Sequence, residues 1–502
     1  MRLNKKILPS LATHNISLPS HAVWQLPEKV LQFGTGVLLR GLPDYYINKA
    51  NNAGLFNGRV VVVKSTGGNV DAFAEQDNLY THCIKGLVNG ELNESYVVNA
   101  AISRVINAAE NWQEVIDCAI NPKLKIIISN TTEVGIALQE DDDVEALPPQ
   151  SFPGKLLAFL HARYKAFNGS ADSGMVIIPT ELIVDNGIAL KNIIIRLSEL
   201  HLPEPSFLDW LSDANDWCNS LVDRIVPGAL SQHDKQMFEQ NFGYTDELAI
   251  ISEPYSLWAI ETKSERTKQL LSFAKADENI IITNDIQKYR ELKLRLLNGT
   301  HTFACGLAFL QGRDAVNAAI KDDVFHSFIH HLMFDEIVPC LVNDNISKEE
   351  AEAFADSVLN RFANPFIHHQ WLAISLQYTS KMMLRCVPLL LTHYKIFTQP
   401  PDCMALCFAA YLLFMKVTKT KDGKYYGERN GEAYLIQDDS AKRWYELWQN
   451  NDVENVVSEA LSNKGLWNED LNALPDFANT VLMYLQKLTS GNSLENLTHS
   501  VL

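Results

Sequence analysis

The stretch "KVLQFGTGVLLRG" (29–41) decides the fold of the first half of this chain, together with "RVVVVK" (59–64). Each contains a short apolar run, and a helical segment separates the two, which is the βαβ pattern of a parallel sheet. Gly34 and Gly36 directly follow the first run. Glycines at this point let the backbone approach a pyrophosphate, whose charge is met by the amides at the start of the next helix. The pattern therefore predicts a dinucleotide loop, although Leu39 replaces the third glycine of the usual fingerprint.

Further apolar runs continue the β pattern up to about residue 284. They are continuous rather than alternating, which is typical of strands covered on both faces by helices. Segments with helical periodicity, "WQEVIDCAI" (112–120) and "GKLLAFLHARYKAF" (154–167), fall between them. We therefore expect an N-terminal Rossmann-like, doubly wound α/β domain over residues 1–284. The predicted strands are "LKIIISN" (124–130), "GMVIIPTEL" (174–182), "ELAIIS" (247–252) and "NIIIT" (279–283).

After residue 285 the β pattern largely stops and helical periodicity dominates, as in "SKEEAEAFADSVLNRFAN" (347–364). Ser347 is placed to begin that helix, with Glu350 three residues later as in a capping box. "GERNGE" (427–432) has the composition of a turn. We expect residues 285–502 to form a mainly α-helical C-terminal domain, with the active site between the two domains.

Charge and cysteine usage narrow the class of protein. The net charge of −17 argues against nucleic acid or an anionic membrane as a partner, because both require a basic face. The eight cysteines are scattered in apolar contexts without a Cys-x2-Cys pair, which favours reduced thiols over disulfides or a metal site. The N-terminus lacks an apolar signal region, and the longest apolar run (403–417) is short for a membrane span. We expect a cytoplasmic protein; the sequence leaves its oligomeric state open.

The segment "DIQKYRELKLRLLNGTHTFACGLAFLQG" (285–312) carries the most chemical information. Lys293, Asn298 and His301 are spaced as Lys-x4-Asn-x2-His. They supply a proton-transfer group, an amide for a developing oxyanion and an imidazole that can orient a hydroxyl, which suits metal-free interconversion of an alcohol and a ketone. On a continuous α-helix Lys293 and Asn298 would be roughly 140° apart and Asn298 and His301 roughly 60°, so all three could line one wide groove. An ordinary amphipathic helix with a solvated lysine is the alternative.

The same segment resembles the active-site signature of the mannitol dehydrogenase family, the polyol-specific long-chain dehydrogenases. This resemblance extends along nearly the whole chain and implies that Lys293, Asn298 and His301 are catalytic. The supporting motifs are "VLQFGTGVLLRG" (30–41), "EQDNLYT" (75–81), "SNTTEVGI" (129–136), "LVDRIVP" (221–227), "SEPYSLWAIE" (252–261), "RFANPFI" (361–367) and "SKMMLRCVP" (380–388).

The resemblance also implies a cofactor and the residues that bind it. The cofactor is expected to be NAD, although Lys64, Ser65 and Thr66 after the second strand would by themselves suggest NADP, since a lysine and two hydroxyls suit its extra phosphate. Arg40 is a candidate partner for a phosphate. The expected cofactor-binding residues are Gln32, Phe33, Gly34, Thr35, Gly36, Val37, Leu38, Leu39, Arg40, Asn130, Thr132 and Glu133.

Substrate recognition is expected to depart from the polyol enzymes of the family. Asp223 matches a family aspartate of the substrate pocket, with a salt bridge to Arg224 as the alternative. The family's "CDN" is replaced by Thr180, Glu181 and Leu182, so a second oxyanion amide is in doubt. An arginine that lies eight residues before a lysine in the family is here Ala373, whereas Lys381 is retained. We expect Lys381 to bind a substrate carboxylate, with His369 and Arg361 as further candidates.

Several motifs, among them "GERNGEAYLIQDD" (427–439), most resemble the family members that reduce D-tagaturonate to D-altronate. The implied activity is therefore NADH-dependent reduction of this keto-hexuronate, a small sugar acid, in hexuronate breakdown. Fructuronate reduction and mannitol oxidation are the alternatives of the same class. A catalytically silent dinucleotide-binding regulator is the alternative of another class, but it would have no need of Lys293, Asn298 and His301 together.

Overall fold

The computed structural model describes residues 1–65, 67–131 and 135–498. The chain forms two compact units. The first comprises residues 1–86 and 91–286, and the second comprises residues 87–90 and 287–502.

The strands of the first unit are β1 (Glu28–Phe33), β2 (Arg59–Lys64), β3 (Tyr80–Val88), β4 (Glu91–Asn99), β5 (Ile102–Asn107), β6 (Ile126–Ser129), β7 (Val176–Pro179), β8 (Asp216–Trp217), β9 (Ser220–Asp223), β10 (Gly228–Ala229), β11 (Ile250–Ser252), β12 (Leu257–Glu261) and β13 (Ile280–Thr283). Its helices are α1 (Leu8–Leu11), α2 (Val37–Gly41), α3 (Pro43–Asn52), α4 (Asp71–Glu75), α5 (Trp112–Asp117), α6 (Phe152–Ala166), α7 (Asn186–His201), α8 (Pro205–Asp213), α9 (Gln232–Phe242) and α10 (Glu265–Leu270). Short 3-10 turns lie at His21–Gln25, Cys118–Ile120, Ala171–Ser173 and Ser272–Ala276.

The main sheet of this unit is parallel, with the order β5-β2-β1-β6-β7-β8. Numbered along the chain, these strands run 3-2-1-4-5-6, the order of a doubly wound dinucleotide-binding sheet. The order in which the strands are added reverses between β1 and β6, although all strands remain parallel. In such a sheet a crevice opens at the carboxyl ends of these two strands. The predicted Rossmann-like architecture is confirmed.

Successive residues along β1 and β2 of the main sheet pack into hydrophobic cores on opposite faces of the sheet. Val30 and Val62 pack on one face, whereas Leu31, Val61 and Val63 pack on the other. Side chains alternate across a strand, so a sheet covered on both faces needs an apolar residue at every position. This explains the continuous apolar runs in the sequence.

Two predicted strands belong to smaller sheets. The segment 247–252 contains β11, which pairs in parallel with β3 in a sheet of order β10-β11-β3-β4. The segment 279–283 contains β13, which joins β12 and β9. The long β3–β4 hairpin was not predicted, because the outer half of β4 is exposed and lacks an apolar run.

The second unit is mainly helical, as predicted. Its helices are α11 (Gln287–Leu292), α12 (Thr300–Leu310), α13 (Val316–Ala319), α14 (Asp323–His331), α15 (Val338–Leu341), α16 (Lys348–Phe362), α17 (Trp371–Ile374), α18 (Tyr378–Lys381), α19 (Val387–Ile396), α20 (Asp402–Phe414), α21 (Ala441–Asn450), α22 (Val453–Leu461), α23 (Lys464–Trp467), α24 (Phe477–Thr489) and α25 (Leu494–Thr498), with a 3-10 turn at Leu471–Ala473. Segments of π-helix lie at Lys293–Gly299, Leu332–Ile337 and Met382–Cys386.

The helix cap and the turn that the sequence predicts in this unit are both present. Ser347 and Glu350 form the predicted capping box at the start of α16. A small antiparallel sheet not predicted from sequence contains β14 (Lys419–Lys421), β15 (Lys424–Arg429) and β16 (Glu432–Ile436). The "GERNGE" segment supplies its tight turn at Asn430 and Gly431, both with positive φ, as a two-residue hairpin loop requires.

The helices of the described residues are all too short or too polar to cross a membrane.

Candidate functional site

The glycine loop follows β1 as predicted. Gly34 has a φ of +124°, and a Cβ added there would lie 2.8 Å from Leu39 Cδ1 and 3.0 Å from the carbonyl oxygen of Asn130. Only glycine fits this position, because both the backbone angle and the space exclude a side chain. A Cβ at Gly36 would meet no atom within 4 Å, so the loop is open on that side.

A cavity of about 370 Å³ adjoins this loop inside the first unit. Backbone amides of the loop and the ammonium groups of Lys64 and Lys155 provide the positive environment that a dinucleotide phosphate requires. The cavity is therefore chemically suited to a dinucleotide. Its lining residues are Gly34, Thr35, Gly36, Lys64, Ser65, Asn130, Thr131, Gly135, Gln139, Gln150, Ser151, Phe152 and Lys155.

The remaining predicted cofactor residues divide into two groups. Those that pack in the core beside or behind the loop are Gln32, Phe33, Val37, Leu38, Leu39 and Arg40. Thr132 and Glu133 lie outside the described residues.

The position of Arg40 differs from the expected contact with phosphate. Its guanidinium donates to the carbonyl of Leu248 and lies 5.4 Å from the ring centroid of Tyr80. Burial lowers the pKa of this guanidinium. Arg40 is thus committed to the core of the first unit, because leaving a buried guanidinium without its acceptor would be costly.

The α6 start contributes lining residues that the sequence analysis missed. Lys155 is 3% exposed, and its ammonium donates to the carbonyl of Gln150 at 2.6 Å. Ser151 caps the helix by accepting from the amide of Gly154. The Ser-x-Pro start of this helix is visible in the sequence, but its proximity to the glycine loop is a tertiary feature.

In the second unit, Lys293 and Asn298 lie at the start and near the end of the π-helical segment Lys293–Gly299. Hydrogen bonds in a π-helix join residues five apart, so these two residues lie about one turn apart and on the same side. This corrects the expectation of an α-helix, in which they would diverge by roughly 140°. Both side chains are half-buried, and such π segments occur frequently at functional sites.

His301 follows on the first turn of α12 and is 8% exposed. Its ring stacks on Phe362 with a centroid distance of 4.2 Å. Burial lowers the pKa of His301 well below its usual value, and the charges of Arg361 and Lys381 act in the same direction. The imidazole is therefore neutral near pH 7. Within the described residues, its Nε2 atom is buried and has no hydrogen-bond partner.

Four cationic or basic side chains lie near His301, and three of them were predicted to bind the substrate. The charges of all four act to lower its pKa, and the ring of His369 lies 5.4 Å from that of His301, centroid to centroid. Lys381 donates to the carbonyl of Ile374 at 2.8 Å. The four are His369, Arg361, Arg385 and Lys381.

The π-helical segment that carries Asn298 is braced against the segment Met382–Cys386. Arg295 donates to the carbonyls of Leu384 and Arg385 at 2.8 and 3.2 Å. Both carbonyls belong to the π segment that ends just before α19. Arg295 therefore joins the two π segments through hydrogen bonds to backbone oxygens.

Asp223 ends β9 in the first unit and is 5% exposed. The adjacent Arg224 donates to the carbonyls of Gly41 and Glu253 at 2.7 and 3.0 Å. Arg224 therefore ties the end of α2 to the β9 and β11 segments.

The three residues that replace the family's "CDN" directly follow β7. Leu182 is 64% exposed. The amide of the downstream Asn186 donates to the carbonyls of Pro179, Glu181 and Ser220. Because this amide is committed to backbone groups, it is not a donor for a substrate oxygen.

Comparisons with known proteins agree with this architecture. The mannitol dehydrogenase Rossmann domain matches residues 28–272, and the mannitol dehydrogenase C-terminal domain matches residues 285–489. An altronate oxidoreductase of Halalkalibacterium halodurans is 38% identical over 457 residues, which is 89% of this chain and 88% of that protein. That of Bacillus subtilis is 37% identical over 470 residues, 92% and 93% of the two chains.

Solved structures show the same fold at lower identity. Mannitol 2-dehydrogenase of Pseudomonas fluorescens, in a ternary complex with NAD and D-mannitol, is 21% identical with a TM-score of 0.71 and covers 100% of this chain and 99% of its own. A substrate-free D-sorbitol dehydrogenase is 19% identical with a TM-score of 0.82, covering 99% and 100%. The chain belongs to the mannitol dehydrogenase family.

Proposed function

We propose that this chain reversibly reduces the keto group of D-tagaturonate to give D-altronate, with NADH as the hydride donor. The observation that carries the proposal is the similarity to altronate oxidoreductases over about nine-tenths of both chains. The side chains of the second unit support it, because they supply the groups that alcohol–ketone chemistry requires beside a cationic region for a carboxylate.

In this proposal Lys293 protonates the substrate oxygen during ketone reduction and accepts the proton in the reverse direction. Asn298 donates to the same oxygen as negative charge develops on it. His301 Nε2, which is buried and neutral, hydrogen-bonds a neighbouring hydroxyl or this oxygen. The π-helical turn places the lysine and the amide on one side, so both can act on one atom.

The cavity beside Gly34 would hold the dinucleotide, which when bound supplies or accepts the hydride. Lys64 and Ser65 line the same cavity at the end of β2, where a Rossmann sheet recognises the adenosine ribose. We propose NAD as the cofactor on the basis of the family, and these residues make NADP the competing choice. The ratio of kcat/KM for NADH and NADPH, measured for the parent and for Lys64→Asp, decides between them.

The substrate carboxylate would bind the cationic region around Lys381. Arg361 and His369 are further members of this set, and Arg385 adds another positive charge. The chain carries a net charge of −17, so an anionic substrate is repelled globally and needs such a local reversal of sign.

The test is to follow NADH absorbance with the purified protein and a panel containing D-tagaturonate, D-fructuronate, D-fructose, D-altronate and D-mannitol. We expect the highest kcat/KM with D-tagaturonate and D-altronate. Preference for D-fructuronate, or for D-fructose and D-mannitol, would replace the proposed substrate by a neighbouring one. NADH binding without turnover of any compound would favour the silent regulator.

A further inference from the structure

Glu181 is buried behind the dinucleotide cavity and does not line it. It follows β7, while Ser129 ends the neighbouring strand β6, and the two strands pair in parallel with Ser129 opposite Pro179. The carboxyl ends of β6 and β7 therefore meet beside the crevice in which doubly wound sheets bind their ligands. Glu181 is 2% exposed there, so its carboxylate requires partners.

Both carboxylate oxygens have partners from the β6 side. Oε2 accepts from the Ser129 hydroxyl at 3.1 Å. Oε1 accepts from the backbone amide of Thr131 at 2.9 Å and from its hydroxyl at 3.1 Å. Burial raises the pKa of Glu181, and these hydrogen bonds act in the opposite direction. The carboxylate thus connects the end of one strand to the loop after the next.

A second set of hydrogen bonds holds the same loop. The Asn130 amide donates to the carbonyl and hydroxyl oxygens of Thr180 at 3.1 and 3.0 Å. The Thr180 hydroxyl donates in turn to the Ser129 carbonyl at 2.7 Å. Residues 129–131 are therefore fixed by residues 180–181.

The fixed segment forms part of the cavity wall. Asn130 and Thr131 line the cavity with the glycine loop. The Asn130 carbonyl lies 3.0 Å from the position that a Cβ of Gly34 would occupy, so a small shift of this segment would disturb the glycine loop. In the sheet order, β6 lies on the opposite side of β1 from β2. Because β2 serves the adenosine half, the β6 side serves the nicotinamide half.

We propose that Glu181 is a positioning residue that holds Asn130 and Thr131 in place for the nicotinamide half of the dinucleotide. This inference rests on the proposed use of a nicotinamide dinucleotide. It assigns a purpose to the glutamate that stands in this chain where the family has the aspartate of "CDN". The glutamate acts through the loop and does not itself touch the ligand.

The experiment measures dissociation constants for NADH and for AMP by fluorescence titration and calorimetry, without sugar substrate. AMP reports on the adenosine half alone. The variants are Glu181→Ala, which removes the carboxylate, and Glu181→Gln, which keeps one oxygen for the Thr131 amide and an N–H for the Ser129 hydroxyl. Glu199→Ala, an exposed glutamate on α7, is the matched control.

We expect Glu181→Ala to weaken NADH binding about tenfold or more, because a buried segment loses three hydrogen bonds to one charged group. Glu181→Gln should restore affinity to within about threefold of the parent, since most of those hydrogen bonds can re-form. AMP affinity should change less than about twofold in both, since AMP lacks the nicotinamide half that the β6 side serves. Glu199→Ala should match the parent with both ligands.

Unchanged NADH affinity in Glu181→Ala, or equal weakening of NADH and AMP, would overturn the inference. If circular dichroism shows that Glu181→Ala does not fold, Ser129→Ala tests the inference instead, because it removes only the hydroxyl that donates to Glu181 Oε2. Weaker NADH binding with unchanged AMP binding then supports the positioning role, and unchanged NADH binding overturns it. A parent protein that binds neither NADH nor NADPH would contradict the proposed function itself, before any variant is compared.

Discussion

Lys293 and Asn298 lie one π-helical turn apart and project from the same side of their helix. In an α-helix the same spacing would turn the two side chains away from each other. The wider turn therefore brings the lysine and the amide to one side of the helix, as their proposed action on a single substrate oxygen requires. The hydrogen bonds from Arg295 to the carbonyls of Leu384 and Arg385 link this turn to the π segment Met382–Cys386.

Lys293→Ala should lower kcat by about 10²–10⁴-fold, because it removes the proposed proton-transfer group. The dissociation constant for NADH should stay within about twofold of the parent value, because the lysine acts on the substrate and not on the dinucleotide. Stopped-flow turnover and NADH titration measure the two quantities. Lys288→Ala, which removes a surface lysine paired with Glu350, is the control and should retain activity. Full turnover in Lys293→Ala would exclude the proposed acid–base role.

Lys381→Ala should raise KM for uronates much more than for uncharged polyols, as expected for a carboxylate contact that is similar in the ground and transition states. Added salt should weaken uronate binding in the parent and do so less in the variant, because the lost charge contact is the screened one. Lys395→Ala, an exposed lysine on α19, is the control. An unchanged uronate KM in Lys381→Ala would move the carboxylate contact to Arg385, Arg361 or His369.

His301→Gln should reduce kcat without altering the shape of the pH–rate profile between about pH 5.5 and 7.5, because the imidazole already titrates well below its ordinary ~6.5. Burial and the neighbouring cations hold it neutral across this range. The measurement is kcat/KM against pH for the parent, the variant and the exposed-site control His326→Gln. An acidic limb near ~6.5 that disappears only in His301→Gln would contradict the neutral assignment.

The burial of Asp44 leads us to expect a pH-dependent free energy of unfolding. It is fully buried, and burial raises its pKa to about 7. Between its ordinary value and about 7 the folded chain keeps a proton that the unfolded chain has released, so the free energy of unfolding falls as pH rises through this window and levels off above it.

Asp44→Asn cannot ionise, so its melting temperature minus that of the parent should increase from pH 5 to pH 8. Thermal unfolding at several pH values measures this difference. Asp209→Asn, at an exposed position on α8, should show no such trend. A difference that stays constant with pH would show that Asp44 is ionised in the folded protein throughout.

Arg295→Met should lower the melting temperature and kcat together, because the carbonyls of Leu384 and Arg385 lose a charged donor and the two π segments lose their connection. Each hydrogen bond from a charged donor typically contributes about 1.5–3 kcal/mol to the free energy of unfolding, which sets the expected size of the destabilisation. Arg443→Met on the exposed face of α21 is the control. A stable variant with lost activity would make Arg295 a substrate contact and not a brace.

Much of the fold could be predicted from local patterns. The apolar runs that became β1, β2, β6 and β7 mark strands buried on both faces, and helical periodicity marks the second unit. Gly34 and Gly36, directly after the first apolar run, mark the glycine loop that follows β1. These features depend on neighbours close in sequence, so one chain is enough to find them. The hairpin of β3 and β4 escaped detection because partly exposed strands lack a continuous apolar signal.

Sequence alone determined the family and the glycine loop after β1, and it singled out Lys293, Asn298 and His301 as candidate catalytic residues. Tertiary structure decided how those residues are presented: the π turn that aligns Lys293 with Asn298, and the core position of Arg40. It also brought Glu181 to the loop after β6. The reason is physical, since helix winding and the partners of buried charges are set by packing against segments far along the chain, which no local spacing encodes.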